Sequence, residues 1–312
     1  MNVSAQAWTA ESIPDQTGRT FVVTGANSGL GLATTRQLAR RGAHVVMAMR
    51  NLDRGRAAAA GITAAQPDAD LEVRCLDLAD LDSVAAFASA AHADGLRIDV
   101  LVNNAGVMAP PRSLSPQGHE SQFAANHLGH FALTGLLLDL LQHGRDPCVV
   151  TVTSIVHHGG FIHFDDLSGA KKYARVEFYD QSKFANVLFG LELDRRLRSA
   201  GSRVTSVLAH PGVSATGLQT SGPTGWMKLA GALVHRFFAQ DVEQGVLPQL
   251  YAATAAGVEG GQLYGPDGWR ELRGRPTVVR PDPNAEDPTT AGRLWEVSED
   301  LTGVSYAFPA SA

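Results

Sequence analysis

Residues 19–31 read RTFVVTGANSGLG, in which a β-branched run passes directly into a turn that contains three glycines. The run predicts a buried strand, and the residues from Gly29 to Arg41 follow it with the spacing of a helix. Glycine lets the backbone approach a pyrophosphate closely, and a helix N-terminus offers free N–H groups and partial positive charge. The spacing is TGxxxGxG rather than the more general GxGxxG. The residues of this predicted dinucleotide site are Gly25, Asn27, Ser28, Gly29, Leu30 and Gly31.

Short apolar runs and longer helical patterns alternate along the rest of the chain. The apolar residues of each run do not alternate with polar ones, which is typical of strands buried on both faces. We therefore predict an α/β fold, a single doubly wound domain whose mostly parallel sheet carries helices on both faces. The predicted strands span 19–24, 43–49, 71–76, 98–102, 148–153, 204–209 and 261–265. The predicted helices span 29–41, 53–65, 80–93, 120–142, 179–199, 242–255 and 290–301, and residues 269–288 are expected to be irregular.

The composition is that of an ordinary globular protein. Of the 312 residues, 44% are hydrophobic and 18% charged, which excludes collagen-like, coiled-coil and disordered classes. The net charge is −5 without a basic block, so nucleic acid is not an expected partner. Cys75 and Cys148 are predicted to be reduced core thiols of a cytoplasmic protein. Neither a secretory signal pattern nor an apolar run of about 20 residues occurs, so no membrane span is expected.

The end of the second predicted strand bears on the choice of cofactor. An Asp or Glu there would bind the ribose 2′-OH of NAD, whereas an Arg accommodates the 2′-phosphate of NADP. The strand ends in Met49-Arg50-Asn51, and Arg54 lies one helical turn further on. Asp53 comes three positions after Arg50 and is interpreted as the cap of the next helix. Arg50 and Asn51 therefore predict NADP(H) as the preferred cofactor, with NAD(H) left open.

Tyr179 and Lys183 form a candidate acid–base pair. They are four residues apart in a predicted helix, so their side chains share one face. A free phenol has a pKa of about 10, and a neighbouring ammonium favours the phenolate and lowers that pKa. Because an isolated pair of this kind is usually surface packing, its meaning depends on the motifs that accompany it.

Seven short motifs, one of which contains Tyr179 and Lys183, are distributed over most of the chain. They are TGANSGLG (24–31), LDL (76–78), NNAG (103–106), NHLGHFAL (126–133), TVTS (151–154), YDQSK (179–183) and HPG (210–212). With this order and spacing the chain resembles the classical short-chain dehydrogenases/reductases. The motif NHLGHFAL and the 25 positions from Ser154 to Tyr179 most resemble the retinol dehydrogenase and protochlorophyllide reductase-like branch. The resemblance implies a Rossmann-type domain with a seven-stranded sheet, an NAD(P) cofactor and a small-molecule carbonyl or alcohol substrate.

The resemblance also implies roles for individual residues. Tyr179 would exchange a proton with the substrate oxygen, and Ser154 would hydrogen-bond the same oxygen. Lys183 would tune Tyr179 and bind the nicotinamide ribose, while Asn126 would hold a water that links Lys183 to solvent. The other implied cofactor contacts are Asp77 and Leu78 at the adenine, Asn104, Ala105 and Gly106 on the adenosine side, and Pro211, Gly212, Val213 and Thr216 at the nicotinamide.

The same resemblance divides the single domain of residues 1–312. Residues 15–213 would form the cofactor-binding and catalytic core, and 214–312 the substrate lid and C-terminal extension. The apolar stripe in 225–240 predicts either a lid suited to a lipophilic substrate or a helix packed on the core. Members of the family often assemble through their two long central helices, here near 120–142 and 179–199, so a homodimer or homotetramer is expected.

Two other functions stay open from the sequence. A non-catalytic NAD(P)-binding redox sensor would share the glycine turn, although such proteins typically lose the tyrosine or the lysine. A C=C reductase would share both fold and cofactor. His157, His158 and His163 lie close together, but no further ligand falls at a matching interval, so no metal is predicted.

Overall fold

The computed structural model describes residues 8–213 and 241–308. Within these residues, eight strands form one sheet in the order β3-β2-β1-β4-β5-β6-β7-β8. Strands β1 to β7 are parallel, and β8 pairs antiparallel with β7. The strands are β1 (Thr20–Thr24), β2 (His44–Met49), β3 (Asp70–Cys75), β4 (Val100–Asn103), β5 (Cys148–Val152), β6 (Thr205–Ala209), β7 (Leu263–Pro266) and β8 (Pro276–Val279).

Helices follow the strands and cover both faces of the sheet. The longer helices of the described part are α1 (Gly29–Ala39), α2 (Leu52–Ala65), α3 (Leu81–Ala93), α4 (Gly129–Gln142), α5 (Arg175–Ser199), α6 (Leu247–Thr254) and α7 (Pro288–Thr302). Successive residues of β1 show the two faces: Val22 packs in a core layer with Phe131 of α4, whereas Phe21 and Val23 pack in another layer with Leu38 of α1. The predicted doubly wound α/β fold is therefore confirmed, with eight strands in the described residues instead of the seven that the resemblance implied.

The strand order reverses beside β1. From β1 the chain winds outward to β2 and β3, and then crosses back to β4 on the other side of β1. In open parallel sheets a crevice forms at such a reversal, outside the carboxyl ends of the strands. The glycine turn after β1 and the residues after β4 and β5 all lie at this end of the sheet, which places the predicted motifs together.

Three local details differ from the sequence predictions. Residues 276–279, expected to be irregular, form β8, because pairing with β7 stabilises a run too short to show a strand pattern. Cys75 is exposed rather than in the core, since it ends the edge strand β3. Asn51, not Asp53, caps α2: its Oδ1 accepts a 2.9 Å hydrogen bond from the backbone N of Arg54.

The C-terminal residues pack on the outer side of α4. The Tyr306 hydroxyl donates to the backbone O of Phe131 at 2.6 Å, and the Tyr306 ring lies 4.5 Å from the Trp295 ring of α7. A Cβ at Gly135 would lie 2.7 Å from the Tyr306 ring, so the absence of a side chain at Gly135 admits this contact. Part of the surface expected to join subunits is thus covered by the chain itself, and the oligomeric state stays a prediction.

Among the described helices none is long and apolar enough to cross a membrane.

Candidate active site

A cavity of about 330 Å³ opens at the carboxyl end of the sheet. It brings together segments that follow β1, β4, β5 and β6 with one face of α5, as the strand reversal leads us to expect. Its lining residues are Gly25, Asn27, Ser28, Gly29, Leu30, Gly31, Asn104, Ala105, Gly106, Met108, Val152, Thr153, Ser154, Ile155, Val156, Tyr179, Lys183, Pro211, Gly212 and Val213. Most of the residues singled out in the sequence are therefore neighbours in space.

The glycine turn has the backbone of a phosphate-binding loop. Gly25 and Gly29 have φ of +67° and +54°, a region that side-chain-bearing residues rarely adopt. A Cβ at Gly31 would overlap the carbonyl oxygen of Gly25 and lie 2.6 Å from Asn104 Nδ2. Helix α1 begins at Gly29, and among the described contacts the Ser28 side chain makes no capping hydrogen bond to its first N–H groups. A helix N-terminus whose first N–H groups receive no side-chain cap, and which carries partial positive charge, is suited to bind a dinucleotide pyrophosphate.

A hydrogen-bond network beneath the cavity joins the glycine turn to the segment after β4. Thr24 Oγ1 accepts bonds of 2.9 Å from the backbone N of both Asn104 and Ala105. Thr24 Oγ1 also lies 2.9 Å from His130 Nε2, and His130 Nδ1 lies 2.9 Å from the Asn126 carbonyl oxygen. Because that carbonyl can only accept, Nδ1 carries the proton and Nε2 accepts from the Thr24 hydroxyl. His130 thus connects Thr24, whose hydroxyl oxygen binds the segment after β4, to the backbone at Asn126.

Asn126 is fully buried in a short π-helical segment, Ala124–Leu128, that precedes α4. Its Oδ1 accepts from Val107 N at 2.8 Å, while its Nδ2 donates to Val107 O at 2.9 Å and Ser182 Oγ at 2.8 Å. A Cβ at Gly106 would lie 3.2 Å from Asn126 Oδ1 and 3.4 Å from Lys183 Nζ. The Asn126 side chain therefore fixes the chain after β4 next to α5. Single-turn π segments of this kind are frequent at functional sites.

Tyr179, Lys183 and Ser154 meet on one side of the cavity. Tyr179 and Lys183 share a face of α5, and the Lys183 Nζ lies 6.0 Å from the centroid of the Tyr179 ring. Nζ also donates to the backbone O of Val152, at the end of β5, at 3.3 Å. Ser154 comes two residues after the end of β5, and its side chain interacts with Tyr179 in a way that lowers the Tyr179 pKa. A hydroxyl pair beside a buried ammonium can hold and transfer a proton at an oxygen placed in the cavity.

Burial decides the pKa values of this group. It raises the pKa of Tyr179 to about 12, although the Ser154 hydrogen bond acts in the opposite direction. It lowers the pKa of Lys183 to about 8, because the ammonium is removed from water. The sequence predicted a lowered pKa for Tyr179, whereas in the protein alone desolvation of the phenolate raises it.

The other predicted cofactor residues lie outside the lining of the cavity. Arg50, at the end of β2, has a 75% exposed side chain whose Nη1 is 3.7 Å from Asp77 Oδ2. Asn51 is engaged as the cap of α2, and Leu78 is buried in the core layer that contains α3 and α4. Thr216 falls outside the described residues, as does the predicted lid segment 225–240.

The stretch between Ser154 and α5 contributes two apolar residues, Ile155 and Val156, to the cavity. Like Met108, they were not singled out in the sequence, because nothing local marks them. Tyr173 is held elsewhere: its hydroxyl lies 3.0 Å from Gln122 Nε2 and 3.2 Å from Glu120 Oε1. It is not part of the cavity lining.

The clustered histidines of this stretch divide between two places. The rings of His157 and His158 are 4.1 Å apart, next to the ring of His210, whereas His163 pairs with Glu177 at 2.9 Å. In the part of the chain that the structure describes, no three His, Cys, Asp or Glu side chains converge on a common metal position.

Three buried histidines make folding sensitive to acid. Burial lowers the pKa of His127 from 6.5 to about 3, and those of His130 and His157 to about 4. Between pH 6.5 and these values the unfolded chain binds more protons than the folded one, so stability falls as the pH falls.

Replacing one of these histidines should reduce the acid sensitivity measurably. Between pH 7 and pH 5 the unsubstituted protein should lose about 2 kcal/mol more unfolding free energy than His127→Gln, which lacks one titrating ring. Denaturant unfolding at both pH values measures this, with the exposed His143→Gln as a control that retains the full loss. Equal losses for His127→Gln and the unsubstituted protein would show that His127 is not buried neutral.

Comparison with known proteins identifies the family of the chain. Residues 19–224 match the short chain dehydrogenase family. Human retinol dehydrogenase 11 is 39% identical over 288 residues, which cover 92% of this chain and 86% of that protein. The crystal structure of an uncharacterized protein from Mycobacterium paratuberculosis is 42% identical, with a TM-score of 0.80 over 96% of this chain and 99% of the other.

A second solved structure bears on the cofactor. It is a protein of Beutenbergia cavernae described as an NAD(P)-dependent gluconate 5-dehydrogenase, with NADP bound at low occupancy. It is 29% identical, with a TM-score of 0.61 over 80% of this chain and 96% of the other. These similarities agree with the order of the motifs and with the residues that line the cavity, and they confirm the family that the sequence resembles. The chain belongs to the short-chain dehydrogenases, on their retinol dehydrogenase-like branch, and is an NAD(P)-dependent oxidoreductase of alcohol or carbonyl groups.

Proposed function

We propose that this protein interconverts a lipophilic carbonyl compound and its alcohol with NADP(H), using Tyr179 as the acid–base group. The observation that carries the proposal is the convergence of Tyr179, Ser154 and Lys183 on the cavity that begins at the glycine turn. When bound, the dinucleotide supplies or accepts the hydride at the substrate carbon. In the reducing direction the Tyr179 hydroxyl gives its proton to the substrate oxygen, and the products are the alcohol and the oxidised cofactor.

The neighbours of Tyr179 have separate tasks in this proposal. Ser154 donates a hydrogen bond to the substrate oxygen and so stabilises the charge that develops there. Lys183 supplies an ammonium whose field favours the phenolate that remains after proton transfer. Asn126 holds the chain around Gly106 and Val107 against α5, and its role in holding a water stays a prediction.

Arg50 supports NADP(H) as the preferred cofactor. Its guanidinium is three-quarters exposed at the end of β2, beside the glycine turn, and its nearest carboxylate contact, with Asp77, is 3.7 Å long. A loosely held guanidinium offers several donors to a dianionic phosphate, which an ammonium cannot match in geometry. Position 50 also lacks the acidic side chain that would repel that phosphate.

Arg50→Ala should weaken NADPH binding about 10- to 100-fold, because a hydrogen-bonded charge pair contributes about 1.5–3 kcal/mol. NADH affinity should change little, since NADH carries no 2′-phosphate. Titration of cofactor fluorescence measures both constants, and Arg56→Ala, which removes an exposed arginine paired with Asp53, is the control. An equal loss for both cofactors, or no loss of NADPH affinity, contradicts the proposed preference.

Apolar cavity walls and the identity of the relatives support a lipophilic substrate. Met108, Ile155 and Val156 line the cavity, and Phe161 is 65% exposed further along the stretch that follows Ser154. The similar curated proteins are named retinol dehydrogenases, and retinol is an apolar alcohol.

The proposed location is cytoplasmic, as the sequence predicts.

The function is tested by following NADPH oxidation by the purified protein with a panel of aldehydes, ketones and conjugated enones. We expect turnover of long-chain and ring-bearing carbonyl compounds, and values of kcat/KM that decrease for small polar ones. Equal kcat/KM across the panel contradicts the lipophilic preference. Tight NADPH binding with no turnover of any panel member favours the redox sensor instead.

A further inference from the structure

The carboxylate of Glu271 contacts two chain segments that contribute residues to the cavity, the one after β6 and the one after Ser154. Its Oε2 lies 2.9 Å from Nε2 of His210, directly before the Pro211–Val213 segment, and 3.9 Å from Nε2 of His158. The backbone N of Gly212 donates to His210 Nδ1 at 3.2 Å. Because Nδ1 accepts that bond, the ring proton sits on Nε2 and is donated to Glu271. A continuous hydrogen-bonded chain therefore runs from Glu271 to Gly212.

The same C-terminal turn holds the cavity segment at a second point. Val213 N donates to the backbone O of Leu272 at 2.9 Å, and a Cβ at Gly212 would collide with that oxygen. The His210 ring is fully buried against Gly265 of β7, where a Cβ would overlap it. The packing thus restricts the orientation of the His210 ring, and its Nε2 is directed at Glu271.

The segment after Ser154 is also held by the chain beyond β7. Gly159 N donates to Asp282 Oδ2 at 2.7 Å, next to His158. Asp282 and Glu271 both belong to the extension beyond β7, which the catalytic motifs do not include.

The backbone at Glu271 is itself constrained. Arg270 and Glu271 have φ of +50° and +57°, which residues with a Cβ rarely adopt and which persist only where surrounding contacts impose them. Two consecutive residues in this region place the Glu271 carboxylate under His210. Strained backbone of this kind is typical of sites where a side chain has to be aimed.

We propose that Glu271 is a positioning residue that holds the Pro211–Val213 segment, through His210, in the conformation that receives the nicotinamide end of the cofactor. The proposal rests on the proposed function, since it takes this segment to border the nicotinamide. Glu271 lies 61 residues from His210 in the chain and belongs to no motif of the sequence. Its carboxylate contributes alignment and does not take part in proton or hydride transfer.

The test compares Glu271→Ala and Glu271→Gln with the unsubstituted protein by two measurements. Hydrogen–deuterium exchange of the cofactor-free protein at the backbone amides of His210, Gly212 and Val213 reports how firmly this segment is held, and cofactor fluorescence gives the NADPH Kd. For Glu271→Ala we expect faster exchange at these residues and a Kd about 10-fold higher, as loss of one charge-assisted hydrogen bond implies. Glu271→Gln keeps an acceptor for His210 and should restore most of both properties.

Glu259→Ala, which removes an exposed carboxylate that contacts Gln262, is the control and should leave both properties unchanged. Unchanged exchange in Glu271→Ala overturns the proposal, and so does faster exchange with an unchanged NADPH Kd. Failure of the unsubstituted protein to bind either dinucleotide refutes the proposed function, and the positioning role with it. The exchange measurement separates these cases because it needs no cofactor.

Discussion

Tyr179→Phe is expected to lower kcat by about 10²- to 10⁴-fold, the usual contribution of a positioned acid–base group. The substitution removes one oxygen and leaves the ring, which is buried and 7% exposed, in place. NADPH affinity and unfolding free energy should therefore stay close to those of the unsubstituted protein. Steady-state kinetics with saturating NADPH, together with cofactor titration, measures the two effects separately.

The matched control is Tyr173→Phe. Tyr173 is held by Glu120 and Gln122 outside the cavity lining, so its hydroxyl has no part in the proposed reaction. Its removal should leave kcat nearly unchanged. Full activity in Tyr179→Phe, or an equal loss in both variants, rules out Tyr179 as the proton donor.

Lys183→Met should lower kcat by about 10²-fold or more and raise the pH at which alcohol oxidation becomes fast. Without the ammonium the Tyr179 phenol loses a neighbour that favours its ionised form, so the basic limb of the pH profile moves upward. Weaker NADPH binding should accompany this loss because Lys183 lines the cavity. The pH–rate profile in the oxidising direction is the measurement.

The stability of Lys183→Met distinguishes this catalytic loss from misfolding. Burial lowers the pKa of Lys183 to about 8 from 10.5, so between these values the unfolded chain binds more protons and the wild-type stability rises with pH. Below pH 8 the buried ammonium is a cost, and Met should leave the protein at least as stable at pH 7. Lys172→Met, at an exposed position, is the control for charge removal. A destabilised Lys183→Met variant with an unchanged pH profile contradicts the catalytic role.

The strands that are buried on both faces were predictable because their apolar runs are continuous. The predicted 19–24 and 148–153 differ from β1 and β5 by one terminal residue each. Strand β8 was missed because its partner β7, rather than its own residues, determines its conformation. The edge position of β3 also explains why Cys75 is exposed, since a sequence pattern does not reveal which strand ends a sheet.

The residues of the site likewise include some that the sequence reveals and some that it does not. The glycine turn shows in the sequence because glycine is required by its backbone angles, and Tyr179 and Lys183 show as a pair because one helix carries both. Contacts between residues that are far apart in the chain cannot be recognised from the sequence. The Thr24–His130 hydrogen bond spans 106 positions and the His210–Glu271 contact 61, and neither leaves a local pattern.

The direction of the Tyr179 pKa shift was also beyond the sequence. A neighbouring ammonium can be inferred from spacing, but the depth of burial cannot, and here burial is the larger effect. Tyr179 and Lys183 lie on one face of α5, as their spacing predicts, whereas the pKa of Tyr179 in the protein alone shifts in the opposite direction to the prediction.

Following a label from cofactor to product distinguishes reduction of a carbonyl group from reduction of a C=C bond. NADPH with deuterium at both C4 positions is incubated with the protein and a long-chain conjugated enal, and the product is analysed by mass spectrometry and NMR. We expect one deuterium on the carbinol carbon, an intact double bond, and labelled product formed about 10²- to 10⁴-fold more slowly with Tyr179→Phe. Deuterium on the β-carbon with the carbonyl intact would instead identify a C=C reductase and contradict the proposed reaction.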